Sequence, residues 1–473
     1  MTHEKEGTMK VRRWKLLLPL ALLVVAGTIT TTGALATNAQ TGEVKVAIMT
    51  DCKGAFAFGY EVDTAGTIAA FSQYAGAKPT NKKKPSAGMI GGTAGGKKIN
   101  LVGIGCGDET PALALKETRR LMVQLGGEVM IGPLSGDEAV SIANWAKANP
   151  SKTVIIGTAG SQDPTMQIAP KNLFRYHGDG AQWNAGLGEI VYKKLGWRTA
   201  ALIGDDYSFP WTSAAGIIAD FCGIGGKITK RVWTPPTGGD YAPFIRQLPP
   251  PNQVDGYFWL IGGANTGAAL TAFEQAYGPV NAKQHSGNLF LFFLGNFGTA
   301  APKLIGAYMG GFGTAQTGLN TPRAKAYVKA AGRWFPGVAD VNDGFFYNYW
   351  NAAWALVQGL NNSKGATGAA LQKALPRTLK PAFQVANGGV LRLDSRRQAI
   401  QDQYPLQIVR KDGKPAVLVA GYVPNVDQTF GGTFGPSKAA PGRNFPACVK
   451  KKLPWQGKIQ VVKNGVITKQ FIK

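Results

Sequence analysis

The sequence predicts an α/β fold of two doubly wound parallel-sheet lobes, on three observations. The stretch GGEVMIGPLSGDEAVSIANWAKANPSKTVIIGTAGSQDP (126–164) reads as a βαβ unit: 128–131 and 153–156 are short apolar, β-branched runs, and 139–148 carries apolar residues at helical spacing. A fresh alternation of helix and strand starts after residue 176 and repeats the logic of the first half. The chain's 473 residues, 44% of them hydrophobic, suffice for two or three domains with ordinary cores.

Residues 1–36 stand outside that fold. Lys10, Arg12, Arg13 and Lys15 precede the apolar run 16–25, and Ala34-Leu35-Ala36 is an A-x-A cleavage site, together a secretory signal peptide. The polar stretch 28–32 argues against a permanent anchor, and no later apolar run is long enough to span a bilayer. The residues after Arg12-Arg13 fit a twin-arginine signal poorly, and no cysteine stands at the cleavage point to take a lipid. A free periplasmic or secreted protein is expected. The segment carries five Lys/Arg and two Glu, so its removal lowers the formal charge from +25 to +22. Such a surface attracts anions. Its Lys/Arg are spread along the chain or gathered in loops and the tail without a recognisable binding motif, so nucleic acid is not the expected partner.

The four cysteines follow the leader, in a compartment where disulfides persist. Three pairings are possible. Cys52 follows the first strand and Cys106 ends the second; in a doubly wound sheet those ends are neighbours, which favours Cys52–Cys106. Cys222–Cys448 would then tie the tail to the second lobe. With no CxxC, and only His177 and His285 beyond the leader, neither a zinc site nor a cofactor is expected.

Taken in order, 43–49 is a strand, 53–60 a turn rich in glycine and aromatics, and 63–75 a helix. The basic loop 76–98 holds Gly91-Gly92-Thr93-Ala94-Gly95-Gly96-Lys97-Lys98, which imitates a phosphate-binding loop but fails twice. Lys98 replaces the metal-binding hydroxyl, and the glycines precede a strand where the mechanism needs them after one. Strand 98–104 and helix 111–125 lead to the βαβ unit, and 172–176 is a short strand leaving the first sheet. The second lobe then runs helix 181–195, strand 198–203, helix 212–222, strand 227–232, helix 241–248, strand 256–261, helix 267–277 and strand 289–294. An aromatic-rich helix, 343–360, and a helix at 366–375 follow. Short antiparallel strands come next, 389–393, 405–409 and 416–419, the last two joined through the hairpin signature Lys411-Asp412-Gly413-Lys414. From about 424 the chain is Gly/Pro-rich and basic and reads as an appendage, a C-terminal extension with strands 458–462 and 466–470 around Asn464-Gly465.

Ligands of open parallel sheets sit beyond the carboxyl ends of the strands. The turns there in the first lobe, 133–137 and 158–161, combine hydroxyls, small side chains and helix-start amides, which suit a carboxylate. Ser135 and Ser161 read equally well as plain helix caps. In the second lobe the turns 205–211, 262–266 and 295–298 face the first. Phe58, Tyr60, Tyr207, Phe209, Trp211 and Phe297 are candidate apolar walls, or ordinary core.

The order of Val44–Ile48 with Gly54, Gly132-Pro133-Leu134-Ser135, Ile156-Gly157-Thr158-Ala159-Gly160-Ser161, Ala201–Tyr207 and Phe346–Leu356 resembles the periplasmic substrate-binding proteins of branched-chain amino acid ABC transporters, over roughly 43–422. The resemblance implies a type I periplasmic binding protein: a three-crossing hinge, near 176–178, 310–314 and 382–386, joins lobe 1 (43–177 and 314–385) to lobe 2 (178–313 and 386–423), with 424–473 as extension. It implies a monomer that captures an amino acid-like, carboxylate or amide ligand between the lobes and delivers it to a membrane permease. The ligand positions it implies are Ser135, Gly160 and Ser161 for the polar end, with Tyr207 or Phe209 and Asn296 in the second lobe; Gly136, Thr158 and Ala159 of the same two turns and the ring of Phe58 complete the expected site. Asn296 stands where amino-acid binders carry an acid for the ligand ammonium. A buried unpaired ammonium costs several kcal/mol, so either Asp205, Asp206, Asp137 or Glu138 supplies that charge or the ligand is uncharged or purely anionic. The alternative function is a sensor presenting its ligand to a membrane receptor or kinase. Catalysis is not expected: no G-x-S-x-G elbow is present, and His177 and His285 are poorly placed as bases.

Overall fold

Val44, Val46 and Ile48 point to one side of the first strand and Ala47 and Met49 to the other, and all five are fully buried. A strand apolar on both faces belongs inside a parallel sheet covered twice by helices. In the computed structural model, which describes residues 42–288, 300–311, 319–379, 383–384 and 389–473, this strand is Glu43–Asp51. It pairs in parallel with Lys97–Gly107 and with Val129–Ile131, and Thr153–Ile156 and Leu173–Arg175 continue outward. Helices Gly59–Ala75 and Gly344–Asn362 cover one face, helices Pro111–Arg119 and Gly136–Ala148 the other. The expected leader lies outside the described residues.

The second lobe repeats the plan. Its parallel strands run Lys227–Thr234, Thr199–Asp205, Gly256–Leu260, His285–Gly287 and Tyr308–Met309, and the antiparallel hairpin of Leu406–Lys411 and Lys414–Val419 closes the edge. A third, antiparallel sheet joins Phe383–Gln384, Val390–Leu393, Ala399–Gln403, Gly421–Val426, Gln460–Lys463 and Val466–Phe471.

Several sequence expectations change. Strand 172–176 does not leave the first sheet: Leu173–Arg175 is its edge, hydrogen-bonded to Thr153–Ile156, and the chain departs immediately after. Helix 181–195 is two helices, Gly180–Trp183 and Leu187–Lys194. Helix 111–125 is α-helical to Arg119 and then widens into a π turn, Arg120–Gln124. The segment that imitates a phosphate loop is a hairpin, Thr93–Ala94 against Lys97–Lys98. Strand 289–294 lies outside the described residues.

The C-terminal stretch is built into the molecule. Gln460 and Val461 pair with Tyr422 and Gly421 of the third sheet. Phe430, Phe434, Leu453, Trp455 and Ile459 pack with Ala181, Ile190, Val423 and Val426. Trp455 Nε1 donates to buried Asp220 at 2.8 Å. Cysteines pair as expected, Cys52–Cys106 with Cα atoms 5.0 Å apart and Cys222–Cys448 at 5.3 Å.

Candidate functional site

Strands Val129–Ile131 and Thr153–Ile156 end side by side, so the turns that follow them touch. Thr158 N and Ala159 N donate to Pro133 O at 3.2 and 3.3 Å, and Ser161 Oγ donates to Gly136 O at 2.9 Å. Ser135 caps helix Gly136–Ala148 in position only; its side chain makes no capping bond. Ser135 Oγ and Thr158 Oγ1 are buried with no hydrogen-bond partner in the structure. Two orphaned hydroxyls at one spot cost stability that a ligand oxygen would restore.

The second lobe meets them with the turn after Thr199–Asp205. Asp205 accepts from Gly262 N and Thr234 Oγ1, each at 3.1 Å, and burial pushes its pKa up to about 8. Next in the chain come Tyr207 and Phe209, the latter inside helix Ser208–Gly223. Ser208 N donates to Asp137 Oδ1 at 3.1 Å, and Gln162 N to Thr212 Oγ1 at 3.2 Å, so hydrogen bonds join the lobes. The approach is close enough to exclude side chains. A Cβ on Gly160 would lie 2.6 Å from Phe209 and 2.8 Å from Trp183, and one on Gly136 2.8 Å from Ser208 Oγ.

Between them lies a cavity lined by Phe56, Leu134, Ser135, Gly136, Thr158, Gly160, Trp183, Tyr207, Phe209 and Phe345, with about 20 Å³ of free space. A benzene-sized guest needs on the order of 150 Å³, so loading requires the lobes or the aromatic walls to part. The lining combines the Ser135 and Thr158 hydroxyls and glycine backbone with a cluster of rings: Trp183 meets Phe209 edge-on at 5.7 Å, and Phe56 lies 5.9 Å from Phe345. Among the described lining residues there is no carboxylate and no cation.

Behind it, Arg175 is fully buried. Its Nη1 donates to Ala159 O at 3.0 Å and Ser161 O at 2.6 Å, its Nε to Gln398 and its Nη2 to Thr165 Oγ1. Burial lowers its pKa to about 10, which leaves a fixed positive charge behind the second turn. On the other side, Asp51 and Glu138 are buried together around Gly107, and burial followed by mutual repulsion raises Asp51 well above the carboxylate range. Burial is also the main cause that lifts Glu138 to about 8 and Glu109 to about 7. Burial thus favours the neutral form of these three acids.

A family model described as periplasmic binding protein matches residues 43–414. The chain belongs to that family. Solved structures similar to this periplasmic binding protein include an ABC transporter substrate-binding protein from Sphaerobacter thermophilus (19% identity, TM-score 0.66, covering 81% of this chain and 99% of that one). Another is a solute-binding protein of an ABC transporter from R. palustris in complex with benzoate (18%, 0.67, 84% and 100%). A third is a leucine-binding protein, LivK, from Thermotoga maritima (16%, 0.63, 80% and 99%). No curated protein matches by sequence.

Of the residues singled out from sequence, Ser135, Gly136, Thr158, Gly160, Tyr207 and Phe209 line the cavity. Ala159 and Ser161 stand behind it, Ala159 O on Arg175 and the Ser161 hydroxyl on Gly136. Phe58 packs edge-on against Phe345 at 5.4 Å, outside the lining. Trp211 turns away, donating to Asp206 Oδ1 at 3.1 Å. Asn296 and Phe297 lie outside the described residues. Phe56, Leu134, Trp183, Phe345 and Arg175 were missed. Phe56 shares its turn with Phe58, and the strand periodicity cannot say which ring faces inward; Trp183 sits in a helix that reads as core. A larger groove, about 520 Å³, lies between helix Pro322–Gly332 and the hairpin ends Leu418–Val419 and Asn464–Gly465. It is open and its described lining brings no orphaned buried polar atom, so the smaller interlobe cavity is the candidate site. Among the described residues no cluster of His, Cys, Asp or Glu could hold a metal, and no helix is long and apolar enough to cross a membrane.

Proposed function

We propose that this periplasmic binding protein captures a small carboxylate with an apolar, ring-like or branched body between its lobes and delivers it to an ABC importer in the membrane. The observation that carries the reading is the cavity lining: two unpartnered hydroxyls and glycine backbone, aromatic rings packed about them, and no acid among the described lining residues to receive an ammonium. In this reading Ser135 and Thr158 hold the acid oxygens, helped by the amide end of helix Gly136–Ala148 and by Arg175 behind. Ser161 braces the two turns without touching the ligand. Tyr207, Phe209, Phe56 and Trp183 enclose the body, and contacts to both lobes favour the closed form. Similar proteins solved with benzoate and with 4-hydroxybenzoate support an aromatic acid first. The disulfides suit an oxidising compartment outside the cytoplasm.

A thermal-shift screen of benzoate, hydroxybenzoates, branched-chain amino acids and amides tests the class, since a tight ligand raises the midpoint by mass action. Aromatic acids should shift it most. Calorimetry should then find that Ser135→Ala weakens binding by about 10- to 100-fold, the loss of a hydrogen bond to a charged group of roughly 1.5–3 kcal/mol. Shifts from amino acids alone, or full affinity in Ser135→Ala, would overturn it.

A further inference from the structure

The turn that carries Tyr207 and Phe209 is held from outside by the C-terminal stretch. Arg443 lays its guanidinium on Asp206, Nε donating to Oδ1 at 2.7 Å and Nη2 to Oδ2, and the same Oδ1 accepts from Trp211 Nε1. Both oxygens of Asp206 are therefore fixed, one residue before Tyr207. The arm that delivers Arg443 is anchored without help from the cavity. Arg443 O accepts from Arg231 Nη1 and Trp233 Nε1, each at 3.3 Å, and Arg231 Nη2 donates to Pro446 O at 2.6 Å. Five residues on, Cys448 is bonded to Cys222, at the far end of the helix that begins at Ser208. The start of that helix is thus gripped through Asp206, its end through a disulfide, by one short segment.

We propose that Arg443 is a positioning residue for ligand recognition: it fixes Asp206 and thereby the placement of Tyr207 and Phe209, so that the C-terminal segment tunes affinity without touching the solute. The inference rests on the interlobe cavity being the ligand site. A guanidinium fork restrains a carboxylate in direction as well as distance, which an ammonium cannot do. The Arg443 side chain is 62% exposed and Asp206 18%. An exposed pair adds little to global stability, yet it orders a turn whose disorder a ligand would otherwise have to remove on binding.

The test compares the whole mature chain with Arg443→Ala and Arg443→Lys by hydrogen–deuterium exchange over 205–211 and by benzoate calorimetry, with melting midpoints as control. Arg443→Ala should speed exchange across 205–211 and raise the benzoate Kd by about fivefold, with the midpoint almost unmoved, and Arg443→Lys should fall between. Unchanged exchange in Arg443→Ala overturns the proposal, as does faster exchange with unchanged affinity for a benzoate that the wild type binds. If the wild type binds no benzoate and exchange still rises, the choice of ligand fails while the grip of Arg443 on the turn stands.

Discussion

At Gly160 the two lobes are separated by less than one methyl group. Adding that methyl places it 2.6 Å from the Phe209 ring, so Gly160→Ala should weaken any ligand that needs closure by about 1–3 kcal/mol, the usual cost of overpacking, read by calorimetry. A full-affinity alanine variant would mean that closure does not bring these residues together. The buried acids give a second expectation. Glu138, at about 8, and Glu109, at about 7, have folded pKa values above their unfolded ones. Each contributes stability that is complete below its unfolded pKa, near 4.5, and is lost as pH rises through its folded value. The melting midpoint should fall between pH 5 and pH 9, and Glu138→Gln should flatten that fall. A midpoint that climbs over this range contradicts the buried-acid picture. Legibility at this scale was partial. Ser135 and Gly160 were readable as cleft residues because turns at strand ends face the cleft. That the Ser161 hydroxyl spends itself on Gly136 was not, since hydroxyl direction depends on the neighbouring turn.

Among the elements, helix Gly344–Asn362 shows why composition alone sufficed in places. Its aromatic run is buried almost throughout, Tyr349 donating to Met49 O at 2.6 Å inside the first lobe, and a helix apolar all round has nowhere to sit but the core. Tyr349→Phe leaves that carbonyl without its donor and should cost about 1–2 kcal/mol in chemical denaturation; an unchanged midpoint would deny the bond. The C-terminal strands were legible as strands, yet their partner was not. Gln460–Lys463 is polar and basic at intervals, and nothing local says that it pairs with Gly421 and Tyr422 across nearly forty residues. The Cys222–Cys448 bridge closes a separation of 226 residues. Replacing both cysteines by alanine should destabilise the protein by about 2–4 kcal/mol, seen as a lower denaturant midpoint; no change would mean that the packing of Trp455 and Phe430 alone holds the tail.

For the molecule as a whole, alternation of strand and helix was enough to foresee two parallel sheets, because a parallel strand needs a crossover helix and both repeat along the chain. The third sheet escaped notice because its strands are short and scattered between 383 and 471, interrupted by the hairpin that joins the second sheet. The central claim is that one solute touches both halves at once. The direct measurement is hydrogen–deuterium exchange of the protein with and without the acid that most raises its midpoint. The account predicts simultaneous protection of 133–137 and 157–161 in one lobe and of 205–211 in the other. Protection confined to a single lobe, or centred on the groove beside helix Pro322–Gly332, would contradict it.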